Sequence, residues 1–218
     1  MNPHDRSRTG SLRRRIVRRV VSQFHRPSGV GGRLAGWVMA YRSSNRRRNA
    51  WVVSLLDVAR TDRVLEIGVG PGIAIREAAA RATGGLVCGV DHSEVMLHQA
   101  RRRNAEAVRA GRVDLRLAPA DCLPSFDAQF DKVLAVNSMG FWEDPVACLR
   151  TIRSLLRPGG RIAIASQPRC PGATAETSCE AGKDIATRLA EAGFSGTQIE
   201  TLPLKPPAVC VLATNAAS

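Results

Sequence analysis

Val64-Leu-Glu-Ile-Gly-Val-Gly-Pro-Gly-Ile-Ala-Ile75 is the stretch on which the reading of this 218-residue chain turns. Arg63 to Ile67 is a short run of aliphatic and β-branched residues bounded by glycine, the pattern of a buried strand. Gly68, Gly70 and Gly72 then follow at alternate positions. Glycine serves where a chain turns sharply or where a ligand must come close to the backbone with no Cβ in the way. Pro71 has the fixed φ that suits a first helical turn, and Ile73 to Ala80 supplies helix-forming material. Strand, glycine turn and helix together predict a site for a nucleotide-like ligand held by bare backbone and a helix N-terminus.

The glycine spacing narrows the choice of nucleotide. The dinucleotide fingerprint is G-x-G-x-x-G, whose third small residue lets helix and strand pack closely. Here the spacing is G-x-G-x-G, and Ile73 occupies the place of that third small residue, which counts against an NAD enzyme. Asp91 ends the next apolar run, Leu86 to Val90, and an acid there can take both hydroxyls of a ribose. Glu66 adds a carboxylate able to hold an ammonium group.

These residues resemble motif I of the class I S-adenosylmethionine-dependent methyltransferases, in particular their small-molecule and quinone or lipid branch. Val87-Cys-Gly-Val-Asp91-His-Ser-Glu-Val-Met96 is similar to the family's second motif and Ala118-Pro-Ala-Asp121-Cys122 to its third. Leu155-Leu-Arg-Pro158-Gly159-Gly160-Arg-Ile162 is similar to the turn before its fifth strand. The resemblance runs from about Asn49 to Leu212. It implies an α/β, Rossmann-like, doubly wound sheet of seven strands, mainly parallel with an antiparallel edge strand, preceded by an N-terminal helical extension. It implies S-adenosyl-L-methionine as the cofactor. Position by position, Gly68 and Gly70 would face the methionine part, Glu66 and Gly72 would belong to the same cofactor-binding strand end, and Asp91 would hold the ribose hydroxyls. Asp121 would accept from the adenine amino group while the Cys122 backbone N–H addresses the ring; His92 would pack on the adenine, and Asn137 would lie near the sulfonium.

Each position also has a plainer reading. Glu66 could be a solvated strand-end acid, Asp91 a cap for the following helix (a task Ser93 can perform instead), and Asp121 an ordinary loop acid. His92 is the one weak candidate for a general base. Phe141 and Trp142, after strand four, fit either an acceptor pocket or simple packing, and so do Trp37 and Tyr41 near the N-terminus.

The element pattern outside the glycine turn is regular. Helices are expected over residues 45–58, 93–109, 145–156 and 174–192. Strands are expected over 86–91, 113–118, 132–137, 161–167, 196–201 and 209–213. In the first of those helices Trp51, Val52, Leu55 and Leu56 should be buried and Arg46 to Arg48 exposed. Alternating strands and helices mean a mainly parallel sheet covered on both faces. Ligands then bind beyond the carboxyl ends of the strands.

Hydrophobic residues make up 44% of the chain, enough for a sizeable core, and no apolar run is long enough to cross a bilayer. The net charge of +13 is concentrated: residues 1–50 hold thirteen arginines and one acid, Asp5. The chain divides on this basis into an arginine-rich arm, residues 1–45, and a catalytic domain, residues 46–218. Within the arm Leu12, Ile16, Val17, Val20, Val21 and Phe24 recur at helical spacing among arginines. Such a helix, residues 11–25, could lie on its own domain, on an anionic membrane surface or on nucleic acid. The arm has no aromatic and basic interleaving of the kind that stacks bases. Six cysteines without metal spacing read as buried free thiols, which suits the cytoplasm, and no metal site is expected.

The sulfonium methyl group is already activated, so placement of the acceptor is the enzyme's main task. After strand four the chain has Asn137-Ser-Met-Gly140, without the Asn/Asp-Pro-Pro-aromatic run of amino-directed methyltransferases. That favours oxygen or carbon methylation of a small or lipid-like acceptor. The competing expectation is an RNA-binding or RNA-modifying protein that uses the basic arm.

Overall fold

The computed structural model describes residues 43–216. The expectations for the arm helix at 11–25 and for Trp37 and Tyr41 lie outside those residues.

Seven strands form one sheet in the order β3-β2-β1-β4-β5-β7-β6. They are β1 (Arg63–Ile67), β2 (Leu86–Asp91), β3 (Val113–Leu117), β4 (Phe130–Val136), β5 (Leu156–Ser166), β6 (Ser195–Leu202) and β7 (Ala208–Thr214). Pairing is parallel from β3 across to β5, and β7 runs antiparallel to both β5 and β6. The expected doubly wound, mainly parallel sheet is therefore present. Its antiparallel strand, β7, slots in beside β5 and leaves β6 outermost.

The helices are α1 (Ser43–Leu55), α2 (Ile73–Arg81), α3 (Glu94–Arg103), α4 (Ala105–Arg109), α5 (Pro145–Leu155) and α6 (Ala175–Glu191), with a 3₁₀ turn at Met139–Phe141. Side-chain alternation along the strands feeds two cores. Val64, Val87, Leu134, Ala163 and Leu212 meet Val52, Val53, Ile75, Ala78, Leu97 and Ala100 from α1, α2 and α3, and Leu56 just after α1, on one face. Leu65, Ile67, Val133, Ile162, Ile164 and Val211 meet Leu149, Ile152, Ile185 and Leu189 from α5 and α6 on the other. Strands buried on both faces read as continuous apolar runs, which is why the sequence announces them.

Three expectations about elements are corrected. The helix expected over 93–109 breaks at Asn104, whose side-chain amide donates to the Ala100 and Gly72 carbonyls and so ties the helix to the glycine turn. Strand five begins at Leu156, which pairs with Phe130 before Arg157–Gly160 bulge out and pairing resumes at Lys132 with Arg161. The bulge is held by an Arg157–Asp131 ion pair at 2.8 Å and by Gly159, whose φ is +75°. Arg48 is buried rather than exposed, only 4% accessible. Consecutive helical residues point about 100° apart, so three arginines in a row cannot share one solvated face; Asn45, Arg48, Asn49, Val52, Val53 and Leu56 form the inward stripe instead.

Among the described residues no helix is long and apolar enough to cross a membrane, and no His/Cys/Asp/Glu group is arranged to hold a metal ion. All six cysteines are free, but only Cys88, Cys148 and Cys210 are buried. Cys122, Cys170 and Cys179 lie in loops or on the outer side of α6 and are exposed, contrary to the reading of all six as core thiols.

Candidate active site

The glycine turn sits between β1 and α2, where the strand order reverses to either side of β1. All three glycines have left-handed backbone, with φ of +80°, +50° and +75° at Gly68, Gly70 and Gly72. They nevertheless do different work. A Cβ on Gly68 would lie 2.5 Å from the Ser138 Cβ, so Gly68 lets the end of β1 and the start of the loop after β4 touch. Ser138 completes that contact by donating its hydroxyl to the Ile67 carbonyl at 2.6 Å. A Cβ on Gly72 would lie 2.8 Å from Ala100, so Gly72 lets α3 approach α2. Gly70 alone of the three faces open space, with nothing within 4 Å of its missing Cβ. The face open to a ligand is thus at Gly70.

The backbone donors of the turn point inward. Gly68 and Val69 N–H both donate to the Val90 carbonyl, Gly70 N–H donates to Asp91 Oδ2 at 2.8 Å, and Gly72 N–H donates to the Val69 carbonyl. The α2 N-cap, Gly72, has no side chain, and the Glu66 carboxylate reaches across to accept the Ile75 N–H in its place. A pyrophosphate needs such N–H groups free and repels a carboxylate already seated at the helix N-terminus. The N–H groups of the turn are thus engaged within the protein and not offered to a phosphate. This departs from the expectation of a ligand held by the turn's own N–H groups.

Two buried carboxylates flank the turn. Glu66 is 2% accessible and Asp91 is 6% accessible. Burial and the neighbouring Asp91 charge push the Glu66 carboxyl well above the usual carboxylate range, against one N–H donor. Burial also pushes Asp91 up, opposed by N–H donors from Ser93 at 2.9 Å and Gly70 at 2.8 Å, one on each oxygen. With two N–H donors against one, the charged form of Asp91 is the better stabilised of the two. Glu66 Oε2 has no hydrogen-bond partner, an orphaned buried oxygen beside the ligand face. What such an oxygen lacks is a hydrogen-bond donor. Ser93 caps α3 through its hydroxyl on Met96 N–H, so Asp91 is not spent on that task.

The remaining predicted positions fall as follows. His92 is partly exposed, its Nδ1 3.8 Å from Asp91 Oδ1. Asp121 Oδ1 accepts from the Glu143 and Asp144 N–H groups and from the Cys148 thiol at 2.9 Å, which tie the loop after β3 to the start of α5. The thiol contact, more than the two N–H groups, holds this carboxyl below its ordinary range. Cys122 N–H closes a turn onto the Pro119 carbonyl. Asn137 has left-handed backbone, φ +56°, rare for a residue with a Cβ. Its side chain bridges to β5, accepting from Gln167 N–H at 2.7 Å. Trp142 is buried in the core beneath α5, which settles it as packing, whereas Phe141 is 46% accessible. A cleft of about 150 Å³ opens at the ends of β4 and β5, lined among others by Asn137, Met139, Gly140, Ser166 and Asp184.

Arg48, Gln167 and Arg169 join this end of the sheet without having been picked out from the sequence. Arg48 could have been found by its spacing of four from Val52, which places it on the buried stripe of α1. Gln167 and Arg169 follow β5 with no local signal.

A seven-stranded sheet of this order is the fold expected of a class I methyltransferase, and similarity to known proteins shows the family. Residues 64–160 match the family described as "Methyltransferase domain". The chain is 32% identical over 186 residues to the uncharacterised methyltransferase YdaC of Bacillus subtilis (strain 168), spanning 85% of this chain and 99% of that protein. It is 35% identical over 140 residues to 27-O-demethylrifamycin SV methyltransferase of Amycolatopsis mediterranei (strain S699), spanning 62% of this chain and 51% of that enzyme. The N-methyltransferase NodS of Bradyrhizobium japonicum WM9, solved with S-adenosyl-L-homocysteine, superposes with a TM-score of 0.64 at 17% identity, over 83% of this chain and 92% of that one. The chain belongs to the class I S-adenosylmethionine-dependent methyltransferases, and its cofactor is S-adenosyl-L-methionine.

Proposed function

We propose that this enzyme methylates an oxygen or carbon of a small or lipid-like acceptor, and that Glu66, Gly70 and Asp91 carry most of the cofactor's binding. The observation that bears this reading is the pair of buried acids around an inward-bonded glycine turn, with one carboxylate oxygen unpartnered. The cofactor, when bound, supplies an activated methyl group together with an ammonium and a ribose diol. Glu66 Oε2 offers an acceptor to the ammonium, and the Asp91 oxygens offer theirs to the diol. Gly68, Gly72, His92, Asp121, Cys122 and Asn137 complete the proposed cofactor-binding set. Of these, Asn137 and Asp121 use their side chains to position neighbouring backbone.

Among the described residues Asp184 is the one ionisable side chain that lines the cleft beyond Asn137, and that carboxylate is paired with Arg188 at 2.8 Å. Placement of the acceptor in the cleft, with water excluded, supplies the rate enhancement, which can amount to about 7–11 kcal/mol in favourable systems. His92 stands on the ribose side of the site and is a weak choice of base. Residues 1–45 as a separate arm, its contact with an anionic membrane through residues 11–25, and a cytoplasmic location rest on charge and free thiols alone. Nucleic acid as a partner is not favoured.

Calorimetric titration with S-adenosylmethionine, S-adenosylhomocysteine and NAD tests the cofactor reading on wild type and on Asp91→Ala. The two sulfur nucleosides should bind and NAD should not. The variant removes the carboxylate that accepts from the ribose diol; two charge-assisted hydrogen bonds of about 1.5–3 kcal/mol each are lost, which should weaken the nucleosides by about a hundredfold or more. Undiminished binding by the variant would remove Asp91 from the site. Screening phenols, quinols and other carbon or oxygen nucleophiles for methyl transfer then addresses the acceptor.

A further inference from the structure

Asp121 is held by one of its two oxygens. Oδ1 accepts from the Glu143 N–H at 3.0 Å, the Asp144 N–H at 3.4 Å and the Cys148 thiol at 2.9 Å. Among the described residues no hydrogen bond from another residue reaches Oδ2, although Asp121 is exposed. A carboxylate offers about four lone-pair sites over its two oxygens, so three donors crowd Oδ1 while Oδ2 keeps its capacity. Cys148 is only 3% accessible. Burial first, and the bond to Asp121 second, push its thiol up to about 12. At neutral pH the thiol therefore keeps its proton and donates, and the carboxylate accepts.

This tie spans the cofactor end of the sheet. In the order β3-β2-β1-β4 the strands that carry the two loops stand three spacings apart, roughly 14 Å. Asp121 follows β3, and Glu143 to Cys148 follow β4, so contact between them bridges the carboxyl ends of β2 and β1. Those ends carry Asp91 and the glycine turn. Ala118, Val90, Ile67, Trp142 and Cys148 belong to one core cluster, which seats the bridge against the same two strands. Cys148 lies in the first turn of α5, whose start is fixed by Asp144 Oδ1 accepting from the Val146 and Ala147 N–H groups. The thiol is therefore held in place by its helix, and Asp121 is held by the thiol.

Resting on the cofactor-binding reading above, we infer that Cys148 is a positioning residue for base recognition: its thiol locks Asp121 Oδ1, and Oδ2 is thereby presented to the amino group of the cofactor's adenine. Specificity follows from the direction of the hydrogen bond. An amino group donates to a carboxylate oxygen, whereas a ring carbonyl at the same position repels it. Cys148 acts through Asp121 and is not itself a contact of the cofactor.

The test is calorimetry on the full chain with S-adenosylhomocysteine and with S-inosylhomocysteine, in which a carbonyl oxygen replaces the adenine amino group. Wild type should bind the adenine compound about a hundredfold or more tightly. Cys148→Ala removes the thiol donor, and that preference should shrink about fivefold or more. Cys148→Val fills the thiol's space without a donor and should behave as the alanine variant does, which guards against an effect of the cavity. Cys148→Ser keeps a donor at the same place, and its preference should stay within about twofold of wild type. A ratio of two affinities cancels any general loosening of the fold, so a packing role alone would leave it unchanged. A wild-type preference retained in the alanine and valine variants, or lost equally in Cys148→Ser, would overturn the inference. Equal binding of the two compounds by wild type would overturn it too, with the cofactor reading intact. No binding of S-adenosylhomocysteine by wild type would overturn that reading and the inference with it.

Discussion

Replacing Gly70 by alanine separates ligand binding from folding at one atom. The residue has φ +50°, so an alanine there adopts left-handed backbone at a cost of about 1–2 kcal/mol. The added Cβ meets no protein atom within 4 Å, so no packing penalty is added. The Gly70 N–H bond to Asp91 survives, since alanine keeps its N–H. For a chain of this size each kcal/mol shifts the melting temperature by roughly 2–4 °C, which puts the loss at about 2–8 °C. The methyl group occupies the one open face of the glycine turn, and backbone can no longer come close to the ligand. Losing one charge-assisted contact of about 1.5–3 kcal/mol weakens S-adenosylhomocysteine by about ten- to a hundredfold. Thermal melts of the ligand-free protein and calorimetric titration measure the two effects independently. A Gly70→Ala protein that melts a few degrees lower but binds S-adenosylhomocysteine as tightly as wild type would refute the placement of the ligand at Gly70.

Gly72→Ala should do the reverse: its Cβ lands 2.8 Å from Ala100, and strain plus overpacking cost about 2–5 kcal/mol, read as a drop of about 5–15 °C in melting temperature. Glu66→Gln keeps an acceptor for the Ile75 N–H but removes a carboxyl whose folded pKa is raised. A neutral Glu66 costs the fold nothing below the unfolded carboxyl's pKa, and stability is lost as pH rises toward the folded value. The variant's melting temperature should therefore gain on wild type between pH 4 and 7.5, and a pH-independent difference would contradict the burial argument. At the same time its affinity for S-adenosylmethionine should fall by about tenfold. With a thiol reagent at pH 8, Cys122, Cys170 and Cys179 should react within minutes, while Cys88, Cys148 and Cys210, with thiols raised to about 11, 12 and 12, should wait for unfolding.

The order of strands and helices was legible because each strand is an apolar run and each glycine turn is local. Motif spacing placed Glu66, the three glycines and Asp91 at one end of the sheet, where the structure brings them together. What the sequence hid was tertiary. The break at Asn104 follows from an amide bonding a carbonyl of the glycine turn, 32 residues earlier. Asp121 reads as a ligand acid, yet its carboxylate is engaged by a thiol 27 residues later. Gly68, Gly70 and Gly72 look equivalent in a row, and only the atoms opposite them show that two serve packing and one faces open space. Arg48 was obscured by its neighbours, since Arg46 and Arg47 are exposed and the run reads as one solvated face.

Charge completes the argument at the ends of β1 and β2, where the fold buries two acids against three N–H donors. Among the described residues Glu66 Oε2 is left without a hydrogen-bond partner. Such an imbalance costs stability unless a ligand of opposite charge relieves it, and the ammonium of the cofactor does so. A ligand present at a hundred times its dissociation constant adds about 2.7 kcal/mol. Melted with the same concentration of S-adenosylhomocysteine, wild type should therefore gain more than Glu66→Gln, which has no buried charge to relieve. An equal gain in both proteins would take Glu66 out of the ligand's reach.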